Sequence, residues 1–369
     1  MPATPATSSL QQLLERHTAP GELYDALPER ALRCVACGHR CLLPDGKIGV
    51  CKVRYNDRGT LRVPSGYVAA LQCDPVEKKP FFHARPGALA LSFGMLGCDY
   101  HCGYCQNWLT SQALRDPAAG TPPRRVSAEQ IVQLALAHGA EIVASTYNEP
   151  LITSEWAVEV FKVAKAQGLT TAYISNGNAT PEVLDYLRPW VDLYKVDLKS
   201  FNDKHYRRLG GLLATVVSTI RRLVTMGFWV EVVTLIVPGF NDSDGELTEL
   251  ATFLASVSAD IPWHVTAYHP DYKMTDRDRT TADTLVRAVA IGRAAGLRYV
   301  YAGNLPGHVG RLEDTRCPTC DATAVERVGF RVRRVSLDGG RCAACGTAIP
   351  GRWGRSQRIS RWNAPVVIQ

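Results

Sequence analysis

Twelve cysteines carry most of the chemistry open to this sequence, and they fall into groups. Cys34, Cys37, Cys41 and Cys51 form one quartet, Cys317, Cys320, Cys342 and Cys345 a second, and Cys98, Cys102 and Cys105 a trio, with Cys73 alone. Residues 1–30 hold no apolar run of signal-peptide length, so these groups read as metal ligands or redox groups, because cytosolic thiols are kept reduced. The C-terminal quartet is C-x2-C, a 21-residue spacer, then C-x2-C. That spacing suits two knuckles presenting four thiolates to one zinc. The N-terminal quartet is less regular, and with His39 able to stand in as a ligand it admits either zinc or an auxiliary iron–sulfur cluster. The trio, C-x3-C-x2-C, has no fourth cysteine nearby. Three thiolates on a cubane cluster leave one iron open, and an open position separates catalytic from structural metal sites. Zinc closed by His101 or a distant residue is the alternative.

The elements that would position the trio lie in residues 88–302. Strand-like segments at Ala88–Phe93, Glu141–Thr146, Thr170–Ser175, Asp192–Asp197, Trp229–Val237 and Trp263–Tyr268 alternate with helical stretches such as Ala128–His138, Glu155–Gln167 and Asp244–Ser256. Arg298–Ala302 is a candidate seventh strand. Near-continuous apolar strands joined by helices predict a parallel sheet covered on both faces, an open or closed barrel whose chemistry sits at the C-terminal strand ends. Those ends carry polar residues in succession: Tyr147–Asn148–Glu149, Ser175–Asn176, Asp197–Leu198–Lys199 and Tyr268–His269.

Composition narrows the class. Of 369 residues 46% are hydrophobic and 21% charged, ordinary values for globular domains, and no stretch approaches the ~18 apolar residues that would span a bilayer. A cytoplasmic protein without membrane contact is expected. The net charge of +7 is concentrated from Arg311 onward, where eleven arginines face five acidic residues. Such a tail fits a nucleic-acid patch or a solvated basic face. Its only aromatics, Phe330, Trp353 and Trp362, do not form a base-stacking array, so nucleic acid is not the expected partner.

The trio's spacing is the signature of the radical S-adenosylmethionine superfamily, and DLKSFNDKHYRRLGG (197–211), VPGFND (237–242) and AYH (267–269) resemble its pyruvate formate-lyase activating enzyme branch. More closely, DPVEKKPFFH (74–83), CQNW (105–108), TYNEP (146–150), HPDYKM (269–274) and NLPGH (304–308), with both quartets, resemble the AmmeMemoRadiSam-system radical enzymes. The resemblance implies a [4Fe-4S] cluster on Cys98, Cys102 and Cys105 that reductively cleaves S-adenosylmethionine to a 5'-deoxyadenosyl radical. It places Tyr104 beside the adenine, Asn148 and Glu149 at the methionine ammonium, Ser175 and Asn176 near the cofactor, Asp197 and Lys199 on ribose and carboxylate, and His269 near the adenosine. Tyr147–Asn148 replaces the family's glycine pair. Lys78, Lys79, His83 and Lys273 are substrate candidates, the lysines as a cationic rim.

The expected architecture is α/β: residues 1–33 as a tail or helix, 34–87 as a four-cysteine metal module and lead-in loop, 88–305 as a partial (βα)6 TIM-like barrel, and 306–369 as a zinc-ribbon-like module. The expected activity is oxidoreductase-type radical chemistry on an unidentified substrate, served by a flavodoxin- or ferredoxin-type electron donor. Activation of a protein glycine and RNA modification are the competing functions.

Overall fold

Residues 10–354 and 366–367 are described by a computed structural model; Trp362 lies outside them. One large sheet dominates. In chain order its strands are β1 (Ala70–Pro75), β2 (Leu89–Gly94), β3 (Ile142–Ser145), β4 (Thr170–Ser175), β5 (Leu193–Asp197), β6 (Trp229–Ile236), β7 (Trp263–Ala267) and β8 (Val300–Gly303). Neighbours in sequence are neighbours in space: β2 to β8 run parallel, β1 pairs antiparallel with β2, and Val366–Val367 pairs with the outer edge of β1. The seventh parallel strand is therefore present. Strands such as β3 and β7 are buried along their whole length, as parallel strands covered on both faces must be.

The covering helices start at recognisable caps. For α1 (Ala128–Ala137), Ser127 accepts from the Gln130 amide while the Gln130 side chain accepts from the Ser127 amide, a capping box. Thr180, Ser243 and Thr281 cap α3 (Pro181–Leu187), α6 (Asp244–Val257) and α7 (Ala282–Ala294) in the same manner. Between them, α2 (Ser154–Ala166), α4 (Asp203–Leu209) and α5 (Leu213–Thr225) complete the layer. Among the described residues no helix is long and apolar enough to cross a membrane.

No ladder joins β1 to β8 among the described residues, so the sheet is an open arc. Residues 76–87 pack against the cavity-facing side of β6. The Phe82 and His83 amides each donate to the buried Glu231 carboxylate of β6 at 2.9 Å. A C-terminal hairpin, β9 (Thr323–Val328) and β10 (Arg331–Val335), packs over this segment and shares a hydrophobic core with Phe82, Tyr299 and Tyr301. Its Arg327 is fully buried, donating to Phe82 O at 2.7 Å and Thr315 Oγ1 at 2.8 Å and facing Glu77 at 3.5 Å. Toward the N-terminus, Cys34 ends a strand of a small antiparallel sheet, Cys37, Cys41 and Cys51 lie in the connections, and Arg54 pins this region to α2 through Glu155 at 2.7 and 2.8 Å.

His83 anchors the C-terminal module. Its Nδ1 donates to Pro350 O at 2.7 Å, and Nε2 lies 2.5 Å from the Tyr301 hydroxyl. Burial draws its pKa down to about 4. An unfolded histidine takes a proton below about 6.5, so this group contributes stability that is present above that pH and lost as pH falls toward 4. Denaturant unfolding between pH 6.5 and 5 should show a decline of up to about 1.4 kcal/mol per pH unit from His83. His83→Gln should flatten that slope, and an unchanged slope would show that this imidazole is not the sensor.

Candidate active site

The strand ends surround a cavity of about 740 Å3. Cys98, Cys102 and Cys105, on the loop after β2, line it together with Tyr104, Asn148, Glu149, Asn176, Asp197, Lys199 and His269. Close backbone approaches fix that loop. A Cβ on Gly94 would stand 2.5 Å from Thr146 O, so only glycine lets β2 turn beside the end of β3. Tyr147 itself adopts φ +69°, left-handed backbone in which a glycine is unstrained. The loop's Asp99 is buried, accepting from Asn176 Nδ2 and Asn178 Nδ2 at 2.8 Å each. Arg115 donates to Cys98 O at 2.6 Å, and the Tyr100 amide donates to Cys98 Sγ at 3.4 Å.

Burial pushes all three thiols up, Cys102 to about 12. The positive charge of a metal bound there would favour their thiolate forms. Glu149 is also buried. Its carboxylate accepts from Ser175 Oγ (2.7 Å) and the amides of Asn176 (2.7 Å) and Leu151 (3.0 Å). Desolvation, then the charge of Asp99, hold it above the usual carboxylate range. Ser175 does not line the cavity; it stands behind Glu149. Burial pushes the Asp197 carboxyl up as well, but Lys195 and Lys199 outweigh it and leave the group below its ordinary range. Lys199 Nζ lies 3.7 Å from Asp197, and Lys195 pairs with the other oxygen. Tyr104 packs edge-on to Phe240 at 5.8 Å.

Several cavity residues were not singled out in the sequence, Lys195 and Gln106 among them. Lys195 was legible in principle, since it precedes Asp197 by two on β5 and so shares its face. Gln106, which lies 3.1 Å from His269 Nδ1, stands in the CQNW motif, but the motif does not tell which of its side chains faces the cavity.

The substrate candidates separate. Lys78 and Lys79 line the cavity, and Lys79 is buried rather than loop-exposed. His83 does not reach it, being spent on Pro350 and Tyr301. Lys273 is exposed and paired with Asp116 at 2.9 Å, so it adds nothing to a rim beside the other two lysines. Val328, Gly329, Phe330 and Arg331 of the C-terminal hairpin also line the cavity.

The sulfurs of Cys317, Cys320, Cys342 and Cys345 lie within 4.8 Å of one another, with contacts of 3.5 and 3.7 Å. They can hold one tetrahedral metal ion. In the N-terminal quartet Cys34, Cys37 and Cys51 are buried and Cys41 is half-buried. Replacing Cys342 by Ser should lose about one metal ion per chain by elemental analysis, lower the melting temperature, and expose residues 323–335 to proteolysis. Full metal retention would separate the hairpin's order from the quartet.

Residues 94–254 match the Radical SAM superfamily. Over 330 residues the chain is 36% identical to the uncharacterized protein MJ0808 of Methanocaldococcus jannaschii, spanning 88% of this chain and 97% of that one. It is 25% identical to pyruvate formate-lyase-activating enzyme of Staphylococcus aureus over 190 residues, 47% of this chain and 72% of the relative. Among solved structures, a radical SAM methyltransferase from Sphaerobacter thermophilus superposes with a TM-score of 0.47 at 18% identity, over 61% of this chain and 70% of that one. With a cysteine trio opening on a charged cavity and a relative this similar over nearly its full length, the chain belongs to the radical SAM superfamily.

Proposed function

We propose that the chain is an oxidoreductase-type enzyme that cleaves S-adenosylmethionine reductively at a [4Fe-4S] cluster on Cys98, Cys102 and Cys105 and removes a hydrogen atom from a small anionic substrate. The observation that carries this reading is that three sulfurs, a carboxylate flanked by two ammoniums, and an aromatic face share one cavity. When bound, cluster and cofactor supply a 5'-deoxyadenosyl radical. Residues of this chain supply the rest. Lys199 offers its ammonium to the methionine carboxylate, and Asp197 accepts from ribose hydroxyls. Glu149 accepts from the methionine ammonium, with Asn148 at its side; three protein donors already orient it. Tyr104 flanks the adenine, and His269 is held toward the adenosine by Gln106. Shared motifs support the AmmeMemoRadiSam branch, a flavodoxin- or ferredoxin-type donor supplies the electron, and the C-terminal quartet holds zinc.

The substrate's charge follows from Asp74. This buried carboxylate is shared by Lys78 at 3.1 Å and Lys79 at 3.2 Å, so one positive charge is left over beside the cavity. Lys79 also donates to the Tyr147 hydroxyl at 3.1 Å. Burial lowers the Lys79 pKa to about 8 against the pull of Asp74. It is thus mostly cationic at neutral pH and suited to a carboxylate or phosphate. A cavity of about 740 Å3 falls within the usual range for small-molecule sites, and the hairpin walls one side of it. The likeness to activating enzymes favours a second reading, a glycyl residue of a protein partner.

Cys102→Ala should abolish 5'-deoxyadenosine formation by the anaerobically reconstituted, reduced enzyme; persistent cleavage would remove the trio from catalysis. Lys79→Ala should leave substrate-free cleavage near normal. It should raise KM about tenfold or more for a substrate found by screening small carboxylates and phosphates for stimulated 5'-deoxyadenosine release. In the unaltered enzyme KM should rise as pH climbs through about 8, a dependence that Lys79→Arg removes. Stimulation only by a glycine-containing protein would favour the second reading.

A further inference from the structure

The two cysteine quartets differ in spread. In the C-terminal quartet all four sulfurs gather within 4.8 Å of one another. That is the compactness that a tetrahedral zinc with Zn–S of about 2.3 Å demands, its sulfurs being about 3.8 Å apart. Among the described residues no three sulfurs of Cys34, Cys37, Cys41 and Cys51 come so close, and neither do those of the catalytic trio. Yet the N-terminal four surround one locus. The Cys34 amide donates to Cys41 O at 3.0 Å, and the sulfurs of Cys41 and Cys51 stand 3.6 and 3.7 Å from the point a Cβ on Gly49 would occupy. A backbone amide donates to a sulfur here as in the trio, from Val50 to Cys41 at 3.5 Å and from Tyr100 to Cys98 at 3.4 Å. Such N–H···S contacts tune iron–sulfur clusters.

We infer that Cys34, Cys37, Cys41 and Cys51 hold a second iron–sulfur cluster, fully ligated by cysteine, that relays single electrons to the cluster on the trio. Four thiolates leave no open iron, so the site suits electron transfer rather than substrate binding. Backbone joins the two sites directly. A Cβ on Gly97, the residue before Cys98, would lie 3.1 Å from Cys51 O, and Arg115 bridges Val50 O and Cys98 O at 2.6 Å each. The Gly38 amide donates to Asn178 O at 2.8 Å, and the Asn178 side chain holds Asp99. Leu42, Lys47, Val50 and Lys52, all within a few residues of Cys41 or Cys51, are exposed, so a donor can approach the quartet from solvent. In each transfer a low-potential one-electron donor of the flavodoxin or ferredoxin class is oxidised by one electron, the quartet's cluster is reduced and reoxidised, and the trio's cluster is reduced; no atom moves.

The relay rests on the proposed function, but the metal site does not. The test is iron, sulfide and zinc analysis with electron paramagnetic resonance of the anaerobically purified full chain. The unaltered protein should hold about eight irons and one zinc. A variant with Cys98→Ala, Cys102→Ala and Cys105→Ala should keep about four irons and a paramagnetic signal on reduction. Cys37→Ser with Cys41→Ser should lose about four irons, keep dithionite-driven cofactor cleavage, and slow cleavage driven by reduced flavodoxin on the order of tenfold. About four irons with two zincs, or a trio variant free of iron, would overturn the second cluster. Equal rates with flavodoxin in the quartet variant would overturn the relay. Iron confined to the quartet in the unaltered protein would instead sink the proposed function and leave this site standing. Should the quartet variant fail to fold, the trio variant decides alone.

Discussion

One buried carboxylate, Glu231, ties the arc of strands to everything that surrounds its gap. It accepts from the amides of Phe82 and His83, from Trp229 Nε1 at 3.0 Å and from His264 Nε2 at 2.7 Å. Burial pushes this carboxyl up, but the hydrogen bonds from His264 and the backbone amides outweigh it and hold the group below its ordinary range. Four donors on two oxygens are what makes a charge tolerable at zero exposure. With Phe82 and His83 fixed, the segment must present Lys78 and Lys79 to the cavity on one side. On the other side it offers His83 to Pro350 and the Phe82 carbonyl to Arg327. Cavity wall and C-terminal module thus inherit their positions from the same carboxylate.

Three other buried acids are matched to cations: Asp197 with Lys195 and Lys199, Asp74 with Lys78 and Lys79, Glu77 with Arg327. Buried ion pairs are weak sources of stability, since desolvation offsets most of the attraction. Two of the three groups carry a surplus cation at the cavity, a state that lowers stability unless an anion arrives. The left-handed backbone at Tyr147 belongs to the same pattern, because a strained residue persists where the surroundings over-determine it. Its hydroxyl is held between Lys79 and Gln72.

The parallel strands were legible because burial on both faces leaves continuous apolar runs, and the trio because its spacing encodes an open coordination position. β1 was not. Its Gln72 and Asp74 alternate with Leu71 and Cys73, but the alternation spans only a few residues and ends on Pro75, too short a pattern to mark a strand. His83 and Lys273 mislead for a shared reason: a titratable side chain near a motif says nothing about which partner claims it. Pro350 and Tyr301, far off in sequence, take the histidine, and Asp116 takes the lysine. Arg327 reads as one more arginine of a basic tail, yet it is buried in the C-terminal module with its guanidinium fully enclosed.

The terminal modules make sense as answers to what an open arc lacks. A closed barrel supports each loop with neighbours on both sides and has no lateral gap. Here the cysteine loop rests on the N-terminal module through Arg115, Gly97 and the contact of Gly38 with Asn178. Beside β8 and residues 76–87 stands the hairpin β9–β10, anchored by Arg327 and flanked by the C-terminal cysteine quartet. A hairpin of five- and six-residue strands would be marginal alone. Tying it to a four-thiolate site lets a short segment form a firm cavity wall. The C-terminal cysteines, gathered within 4.8 Å of one another on either side of the hairpin, are therefore placed to help the cavity wall keep its shape, whereas the N-terminal module supports the cysteine loop through backbone contacts and Arg115 rather than through its sulfurs.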